Sequence, residues 1–290
     1  MMQAYEDMPA VYETFVEASE VLHQDLWALV AQGPAEALNH TVNTQPLMLT
    51  AGVAVYRSWL AAQGMNPVYF AGHSLGEYTA LVAAKALDFH AALLLVRYRA
   101  QLMQQAVPAE TGAMAALLGL EDEAVRSICV QAAGAEIVEA VNYNAPGQVV
   151  IAGHRNAVLR AMDLATAHGA KRAIILPVSV PAHSSLMSEA GKRLAQYMET
   201  VDIIPPATPV LQNADVTSFA TSSEIKQALV KQLSSPVRWV ETIQKMAQQG
   251  LTHIIECGPG KILTGLNKRI SSVPTLALAD ARSILEFKSA

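Results

Sequence analysis

The sequence has few cysteines and few charged side chains, and it has no long apolar run. Its two cysteines, Cys129 and Cys257, lie far apart along the chain, which is typical of a cytosolic protein kept reduced. No stretch approaches eighteen apolar residues without a charge, so we expect no transmembrane helix. The first residues carry neither the basic nor the apolar region of a signal peptide. The sequence therefore predicts a cytoplasmic protein that does not bind a membrane.

Charge is scarce and slightly negative overall. Charged residues make up 16% of the chain, and the formal net charge is −5, which argues against nucleic acid as the main partner. Hydrophobic residues make up 52%, a composition too apolar for disorder. A chain of 290 residues can form one large α/β domain, or a large domain that carries a smaller one.

Apolar residues in the first hundred positions recur mostly at helical spacing. One short apolar run, bounded by Asn66-Pro67 and Gly72, predicts a buried strand. Pro46 is suited to the first turn of a helix. The predicted elements are helices at Pro9 to Val30, Pro46 to Gln63, Leu75 to Ala86 and Phe89 to Val107, with the strand at Val68 to Ala71.

A different order of elements follows. Strand and helix signals between Gly112 and Val178 come in the order β-α-β-β-α-β, with a turn at Asn144 to Gly147. This order is the ferredoxin-like arrangement. We therefore expect a large α/β domain with a parallel sheet, formed by residues 1–107 and 184–290, and an inserted small ferredoxin-like subdomain at 108–183.

The segment Gly72 to Gly76 matches the G-x-S-x-G pattern, with a predicted strand before it and a predicted helix after it. Such a turn lifts the hydroxyl of Ser74 out of the sheet and places it at a helix N-terminus, where amide groups favour a developing oxyanion. The Leu75 amide is the natural first donor to that oxyanion. The context predicts a hydrolase-like α/β fold with Ser74 as nucleophile; the alternative is a chance match in which Ser74 is an ordinary helix cap.

Arg99 lies on an apolar stripe of its predicted helix, with Leu95, Leu102 and Met103 as neighbours. A buried guanidinium needs a partner. Either Arg99 forms an internal salt bridge, or it binds a free carboxylate through two hydrogen bonds, a geometry that arginine suits.

Several segments together resemble the malonyl-CoA:acyl-carrier-protein transacylases of the stand-alone bacterial type and the acyltransferase domains of polyketide synthases. The resemblance covers nearly the whole chain. The segments are Gly72 to Tyr78, Thr44-Gln45-Pro46, Asn142 to Gly153, Val178 to His183, and Gly258-Pro259-Gly260-Lys261.

The resemblance implies roles for individual residues. His183 would be the general base for Ser74, as in the Ser–His dyad of the family, in which a backbone carbonyl orients the ring; the matching position here is Gln232. No acid between the serine and this histidine lies in a comparably convincing loop. Arg99 would bind the malonyl carboxylate, and Gln45 would line the same pocket. Of the other histidines, His73 would point away from the hydroxyl and His253 would be structural.

The resemblance also implies substrate and partners. Malonyl-CoA and the acyl carrier protein would be the substrates of a monomeric enzyme that feeds fatty acid synthesis and uses no metal and no bound cofactor. Carrier proteins are acidic, so we expect a local basic face. The candidates are the pairs Lys171-Arg172 and Lys268-Arg269, which could equally be ordinary solvated charges.

The beginning of the chain departs from the family pattern. Members of the family begin with a strand that ends in a Pro-Gly-Gln-Gly loop, whose glutamine supplies a second oxyanion donor, and no such segment precedes the first helix here. Three alternatives to fatty-acid malonyl transfer therefore stay open: a thioesterase, an inactive scaffold, and an acyltransferase of a polyketide pathway.

Overall fold

The computed structural model describes residues 2–108, 110–178 and 180–287, apart from the side chains of Ala35 and Asn39. The first and last residues of the predicted large domain, 1 and 290, lie outside these residues. So does Ser179, in the segment before His183. The helices are α1 (Pro9–Leu22), α2 (Leu26–Gln32), α3 (Ala35–Asn39), α4 (Thr41–Ala61), α5 (Gly76–Ala83), α6 (Phe89–Gln105), α7 (Asp122–Ala133), α8 (Arg155–Ala167), α9 (Ser188–Met198), α10 (Ser222–Gln232), α11 (Trp239–Ala247), α12 (Ile262–Ile270) and α13 (Ala281–Phe287). The strands are β1 (Phe70–Ala71), β2 (Gly112–Leu118), β3 (Val138–Ala145), β4 (Gln148–His154), β5 (Arg172–Ile175), β6 (Val210–Leu211), β7 (Ile254–Glu256) and β8 (Thr275–Ala277).

Two pairs of strands are parallel in the described part of the chain. Strand β1 pairs with β6, and β7 pairs with β8, both in parallel. The residues of β6 are buried, whereas those of β1 and β7 are half-buried. Strand β1 leads directly into the turn before α5, so the β1–β6 pair positions the predicted nucleophile.

Strands β2 to β5 form a separate antiparallel sheet in the order β3-β4-β2-β5. Helices α7 and α8 pack on this sheet and on each other, around a core that includes Ile128, Ile151 and Ala161. Strand β3 also contacts the segment after α10, because Tyr143 N–H donates to Val237 O at 3.0 Å and Val237 N–H donates to Val141 O at 2.8 Å. The prediction of a mixed α/β fold with a parallel sheet is confirmed, with the addition that the parallel strands form two separate pairs.

The main apolar core lies around α4, which packs on α1, α5 and α6. Residues around the whole circumference of α4 are buried, from Leu47 and Leu49 to Val53 and Trp59. Helix α6, which packs on α4, buries Leu95, Val96 and Leu102. Arg99 therefore sits on the most apolar face of a core helix.

Two predicted helix boundaries are wrong. The single helix expected from Pro9 to Val30 is broken, because His23 takes a left-handed conformation with φ of 50° and Asp25 accepts from Ala28 N–H to start a new helix. The helix expected to start at Pro46 begins five residues earlier, at Thr41. Pro46 is the sixth residue of α4, beyond the first four whose N–H groups have no partner within a helix, so α4 lacks the bond that an N–H at this position would donate to Val42 O.

The remaining predicted elements were found with shifted ends. Strand β2 begins at the expected Gly112, whereas β1 begins at Phe70 instead of Val68 and β5 ends at Ile175, before the expected limit at Val178. A 3₁₀ turn at Ser185–Met187 precedes α9, which becomes α-helical at Ser188. These shifts are of the size that frayed or tightened ends commonly produce.

Candidate active site

Ser74 lies on the sharp turn between β1 and α5. Its backbone is left-handed, with φ of 52°. A Cβ atom on Gly72 would lie 1.9 Å from the carbonyl carbon of Gly76, so the turn closes only around a glycine at position 72. The side chain of Asn213 holds both arms of the turn, because its Oδ1 accepts from Ser74 N–H at 2.6 Å and its Nδ2 donates to Gly72 O at 2.7 Å.

The hydroxyl of Ser74 meets the ring of His183. Ser74 Oγ lies 2.7 Å from His183 Nε2, across a sequence separation of 109 residues. The other ring nitrogen, Nδ1, lies 2.8 Å from the backbone oxygen of Gln232. A carbonyl oxygen can only accept, so Nδ1 carries the proton and Nε2 is free to accept from Ser74.

His183 is buried and is held in place by its backbone as well as by its ring. Its N–H donates to Leu233 O at 3.0 Å, and its φ is 66°. Burial, and then the nearby Arg99 cation, lower the pKa of His183 to about 3, although the hydrogen bond to Gln232 O acts in the opposite direction. The ring is therefore neutral at physiological pH, which keeps the lone pair of Nε2 available.

Gln232, the last residue of α10, connects the dyad to Arg99. Its side-chain Nε2 donates to Ser74 O at 2.8 Å, and its Oε1 accepts from Arg99 Nη2 at 2.9 Å. Arg99 Nη1 donates to Gln45 Oε1 at 2.7 Å. Four of the predicted site residues, namely Arg99, Gln45, Gln232 and His183, are thus joined with Ser74 in one buried network.

Arg99 is buried without an opposite charge in contact. It is 1% exposed, and none of the ion pairs in the described part of the chain includes it. Its Nε has no hydrogen-bond partner there, and its guanidinium carbon lies 5.4 Å from the centre of the Tyr78 ring. The alternative of an internal salt bridge therefore does not apply to the described structure.

Glu77 and Asn213 belong to the same network, although the sequence did not single them out. Glu77 Oε2 accepts from Asn213 N–H at 2.8 Å and from Gln232 Nε2 at 3.1 Å. Burial raises the pKa of Glu77 to about 8, and the Arg99 charge opposes this. The sequence could have indicated Glu77, because it is the only acid in the apolar segment that forms α5. Nothing in the sequence around Asn213 indicates a role in the site.

The residues next to Ser74 take different directions. His73 Nε2 lies 2.7 Å from Asn144 Oδ1, and its ring packs 5.5 Å from that of Trp239, so His73 is turned away from the hydroxyl as predicted. The N–H of Leu75 takes part in none of the hydrogen bonds found within residues 2–108, 110–178 and 180–287. This amide lies at the start of α5, where a helix leaves its first donors without partners.

Three of the four basic candidates line one cavity of about 500 Å³ between the antiparallel sheet and α12. They are Lys171, Arg172 and Arg269. Arg269 also donates to Gln148 Oε1 at 2.5 Å and to Pro146 O at 2.7 Å. Lys268 is exposed on α12 but does not line this cavity, and neither does Ser74.

The described residues contain neither a cluster of metal ligands nor a membrane-spanning helix. No group of three or more His, Cys, Asp or Glu side chains there could hold a metal ion. None of the helices in this part of the chain is long and apolar enough to cross a membrane.

A serine on a strand-to-helix turn, bonded to a neutral histidine whose second nitrogen faces a carbonyl, is typical of enzymes that carry acyl groups on serine. The sequence profile of the acyl transferase domain family matches residues 2–273. The chain therefore belongs to the acyl transferase domain family.

Relatives and solved structures agree with this family. The chain is 50% identical to the malonyl CoA-acyl carrier protein transacylase of Escherichia coli K12, over 96% of this chain and 90% of that protein. The crystal structure of the acyl-carrier-protein S-malonyltransferase from Burkholderia pseudomallei is 51% identical and superposes with a TM-score of 0.97, covering 100% of this chain and 94% of that one. A chain in the solved structure of a type II PKS acyl-carrier protein in complex with its malonyl-transacylase is 48% identical, with a TM-score of 0.96. This match covers 98% of the present chain and 92% of that one.

Proposed function

We propose that this protein transfers a malonyl group from malonyl-CoA to the phosphopantetheine thiol of acyl carrier protein, through a malonyl ester on Ser74. The observation that carries the proposal is the buried Arg99, which has no opposite charge in contact and is joined through Gln232 to Ser74 and His183. A buried cation of this kind is suited to a substrate that brings its own carboxylate. The names of the relatives point to the same reaction.

The first half-reaction loads the serine. Ser74 Oγ attacks the thioester carbonyl while its proton passes to His183 Nε2, and the Leu75 amide donates to the oxyanion. The C–S bond then breaks, and His183 returns the proton to the leaving sulfur of coenzyme A. The Gln232 carbonyl holds the imidazolium through Nδ1–H while it exists.

The second half-reaction runs in the opposite direction with a new thiol. His183 Nε2 takes the proton of the carrier thiol, and the sulfur attacks the malonyl ester. When the C–O bond breaks, the proton goes back to Ser74 Oγ. The enzyme ends unchanged, and one thioester has been exchanged for another.

Substrate choice would come from the free donors of Arg99. A guanidinium has five N–H groups. Two of its nitrogens donate to Gln45 Oε1 and Gln232 Oε1, and Nε has no partner in the described structure. A malonyl carboxylate can accept from the remaining donors, whereas an acetyl group has nothing to offer them.

One experiment separates this function from the two alternatives of a different class. The chain is incubated with malonyl-CoA, and both its intact mass and the released products are measured. A stable malonyl adduct that is transferred on adding carrier protein supports the proposal. Release of free malonate without an adduct would instead indicate a thioesterase, and an unchanged mass and unchanged malonyl-CoA would indicate a scaffold.

The same transfer reaction can serve either of two pathways, which differ in the carrier protein that receives the malonyl group. Fatty acid synthesis is the role that we propose, and the relative in complex with a type II PKS carrier favours a polyketide role as the second candidate. Comparing transfer rates to carrier proteins of the two kinds decides between them.

We also infer where the carrier binds and how the chain is divided. Lys171, Arg172 and Arg269 around one cavity support a docking site for an acidic carrier.

The strand order β3-β4-β2-β5, with its own apolar core, supports an inserted ferredoxin-like subdomain at 108–183. A cytoplasmic location and a monomeric state remain predictions.

A further inference from the structure

Glu77 joins three segments that are distant in sequence. It lies on the first turn of α5, three residues after Ser74 and fully buried. Its Oε2 accepts from the backbone N–H of Asn213, after β6, and from the side chain of Gln232, at the end of α10. The two bonds span 136 and 155 residues.

Asn213 and Gln232 each also form hydrogen bonds with Ser74 or His183. Asn213 Oδ1 accepts from Ser74 N–H, and Gln232 Nε2 also donates to Ser74 O. The backbone of Gln232 accepts from His183 Nδ1. The carboxyl of Glu77 thus holds the residue that fixes the serine turn and the residue that orients the histidine, without touching Oγ or the ring itself.

We propose that Glu77 is the positioning residue of this site, and that its Oε2, acting as a hydrogen-bond acceptor, sets the distance between Ser74 Oγ and His183 Nε2. The inference rests on the proposed transfer function. A displacement of about 1 Å between reacting groups can cost about 100-fold in rate. Loss of the two hydrogen bonds to Oε2 should therefore lower the catalytic rate even though neither bond includes a reacting atom.

The acceptor does not need to be a charged carboxylate. Oε2 takes both hydrogen bonds, whereas Oε1 is buried and has no partner within the described structure. Burial raises the pKa of Glu77 to about 8, which agrees with a neutral carboxyl group that carries its proton on the oxygen without a donor. Glutamine has the same shape as this neutral form, and its single oxygen can take both bonds.

The test compares three substitutions of the full-length chain. Glu77→Gln keeps the acceptor, Glu77→Asp draws it back by one methylene, and Glu77→Ala removes it. We expect kcat for malonyl loading to fall about 100-fold in Glu77→Ala and Glu77→Asp. The KM for malonyl-CoA should stay within about threefold, because the bonds of Arg99 to Gln45 Oε1 and Gln232 Oε1 do not include Glu77. Glu77→Gln should restore kcat to within tenfold of the parent chain.

Controls separate positioning from loss of the fold and from failure of the proposed function. Ser58→Ala removes another fully buried hydrogen bond, from Ser58 Oγ to Ala54 O at 2.9 Å inside α4, and should lower the unfolding free energy without lowering kcat. Loading of the parent chain tests the proposed function independently of Glu77. A Glu77→Gln variant as slow as Glu77→Ala, or a Glu77→Asp variant as fast as the parent, would overturn the inference. So would folded Glu77→Ala protein with an unchanged kcat.

Discussion

The side chain of Gln232 accepts a hydrogen bond from Arg99 at 2.9 Å, while the backbone of the same glutamine accepts one from the ring of His183 at 2.8 Å. The proposed recognition of the carboxylate by Arg99 and the proposed orientation of His183 as base therefore depend on one residue at the end of α10. Because α10 is separated from both α5 and α6 along the chain, the folded core has to be complete before either function is possible.

Ser74→Ala should abolish the malonyl adduct, because the hydroxyl is the proposed attachment point. Loss of a catalytic serine costs on the order of 10⁶ in rate in a comparable dyad or triad. Intact mass after incubation with malonyl-CoA measures the adduct, and Ser58→Ala serves as the matched serine control away from the site. An adduct of undiminished occupancy in Ser74→Ala would contradict the assignment.

Arg99→Ala should lose about 2–5 kcal/mol of transition-state binding for malonyl transfer, the usual cost of removing one partner of a buried charge pair. Acetyl transfer should fall far less, since acetyl carries no carboxylate. The measurement is kcat/KM for both thioesters. Arg97→Ala is a matched control on the same helix, because Arg97 bonds to Leu22 O and Gln24 Oε1 instead of to the site. Equal losses with both thioesters would make Arg99 a structural residue.

His183 should make the protein less stable as the pH falls. Its pKa is about 3 in the folded chain and 6.5 when unperturbed, so between these values the unfolded chain binds a proton that the folded chain does not. From pH 6.5 to 5 the unfolding free energy should lose about 2 kcal/mol from this group, at about 1.4 kcal/mol per pH unit. The contribution of His183 to stability is present above pH 6.5.

Urea unfolding of the parent chain and of His183→Gln at the two pH values isolates this contribution. Glu77 acts in the opposite direction, because its raised pKa makes its own contribution fall as the pH rises from 4.5 to about 8, and both proteins share it. Between pH 6.5 and 5, the unfolding free energy of the parent chain should therefore change by about 2 kcal/mol less favourably than that of His183→Gln. The same loss in both proteins would show that His183 is not the group that titrates.

Reversing the charge of Lys171 and Arg172 should weaken carrier docking. We expect the double change Lys171→Glu and Arg172→Glu to raise the KM for carrier protein about tenfold, because complementary charge accelerates encounter. Loading from malonyl-CoA should change little. Exposed charges are screened beyond about 10 Å at 0.1 M salt, so the difference should shrink at high ionic strength.

The matched control for the basic face is Lys192→Glu, an exposed lysine on α9 that pairs with Glu189. The two half-reactions are measured separately for each variant. A loss that is equal in both half-reactions, or that salt does not reduce, would show that Lys171 and Arg172 do not dock the carrier.

Local sequence pattern was sufficient for the parts of the site that are built locally. The strand, turn and helix around Ser74 follow from a short apolar run and two glycines, and the burial of Arg99 follows from its apolar neighbours on α6. The same reasoning missed the break at His23, because a left-handed histidine between two helical segments leaves no mark on the apolar spacing.

Contacts between distant segments could not be predicted in this way. His183 was assigned through the resemblance to a family. Nothing in its own loop shows that its ring lies 2.7 Å from the hydroxyl of Ser74, a residue 109 positions away in the sequence. The bonds of Glu77 to Asn213 and Gln232 depend on how α5, β6 and α10 pack together, and packing is decided by the whole core. The separation of the parallel strands into two pairs was missed for the same reason.

The two glycines of the G-x-S-x-G segment are not equivalent. A methyl group at position 72 would overlap the carbonyl of Gly76, whereas one at position 76 would meet no atom within 4 Å outside its own helical turn. In a library of random variants, position 72 should therefore tolerate no replacement, while position 76 should accept alanine, a better helix former than glycine. A search pattern that demands glycine at both places would overlook sequences that can form this turn, and one that relaxes the first glycine would admit chains in which it cannot form.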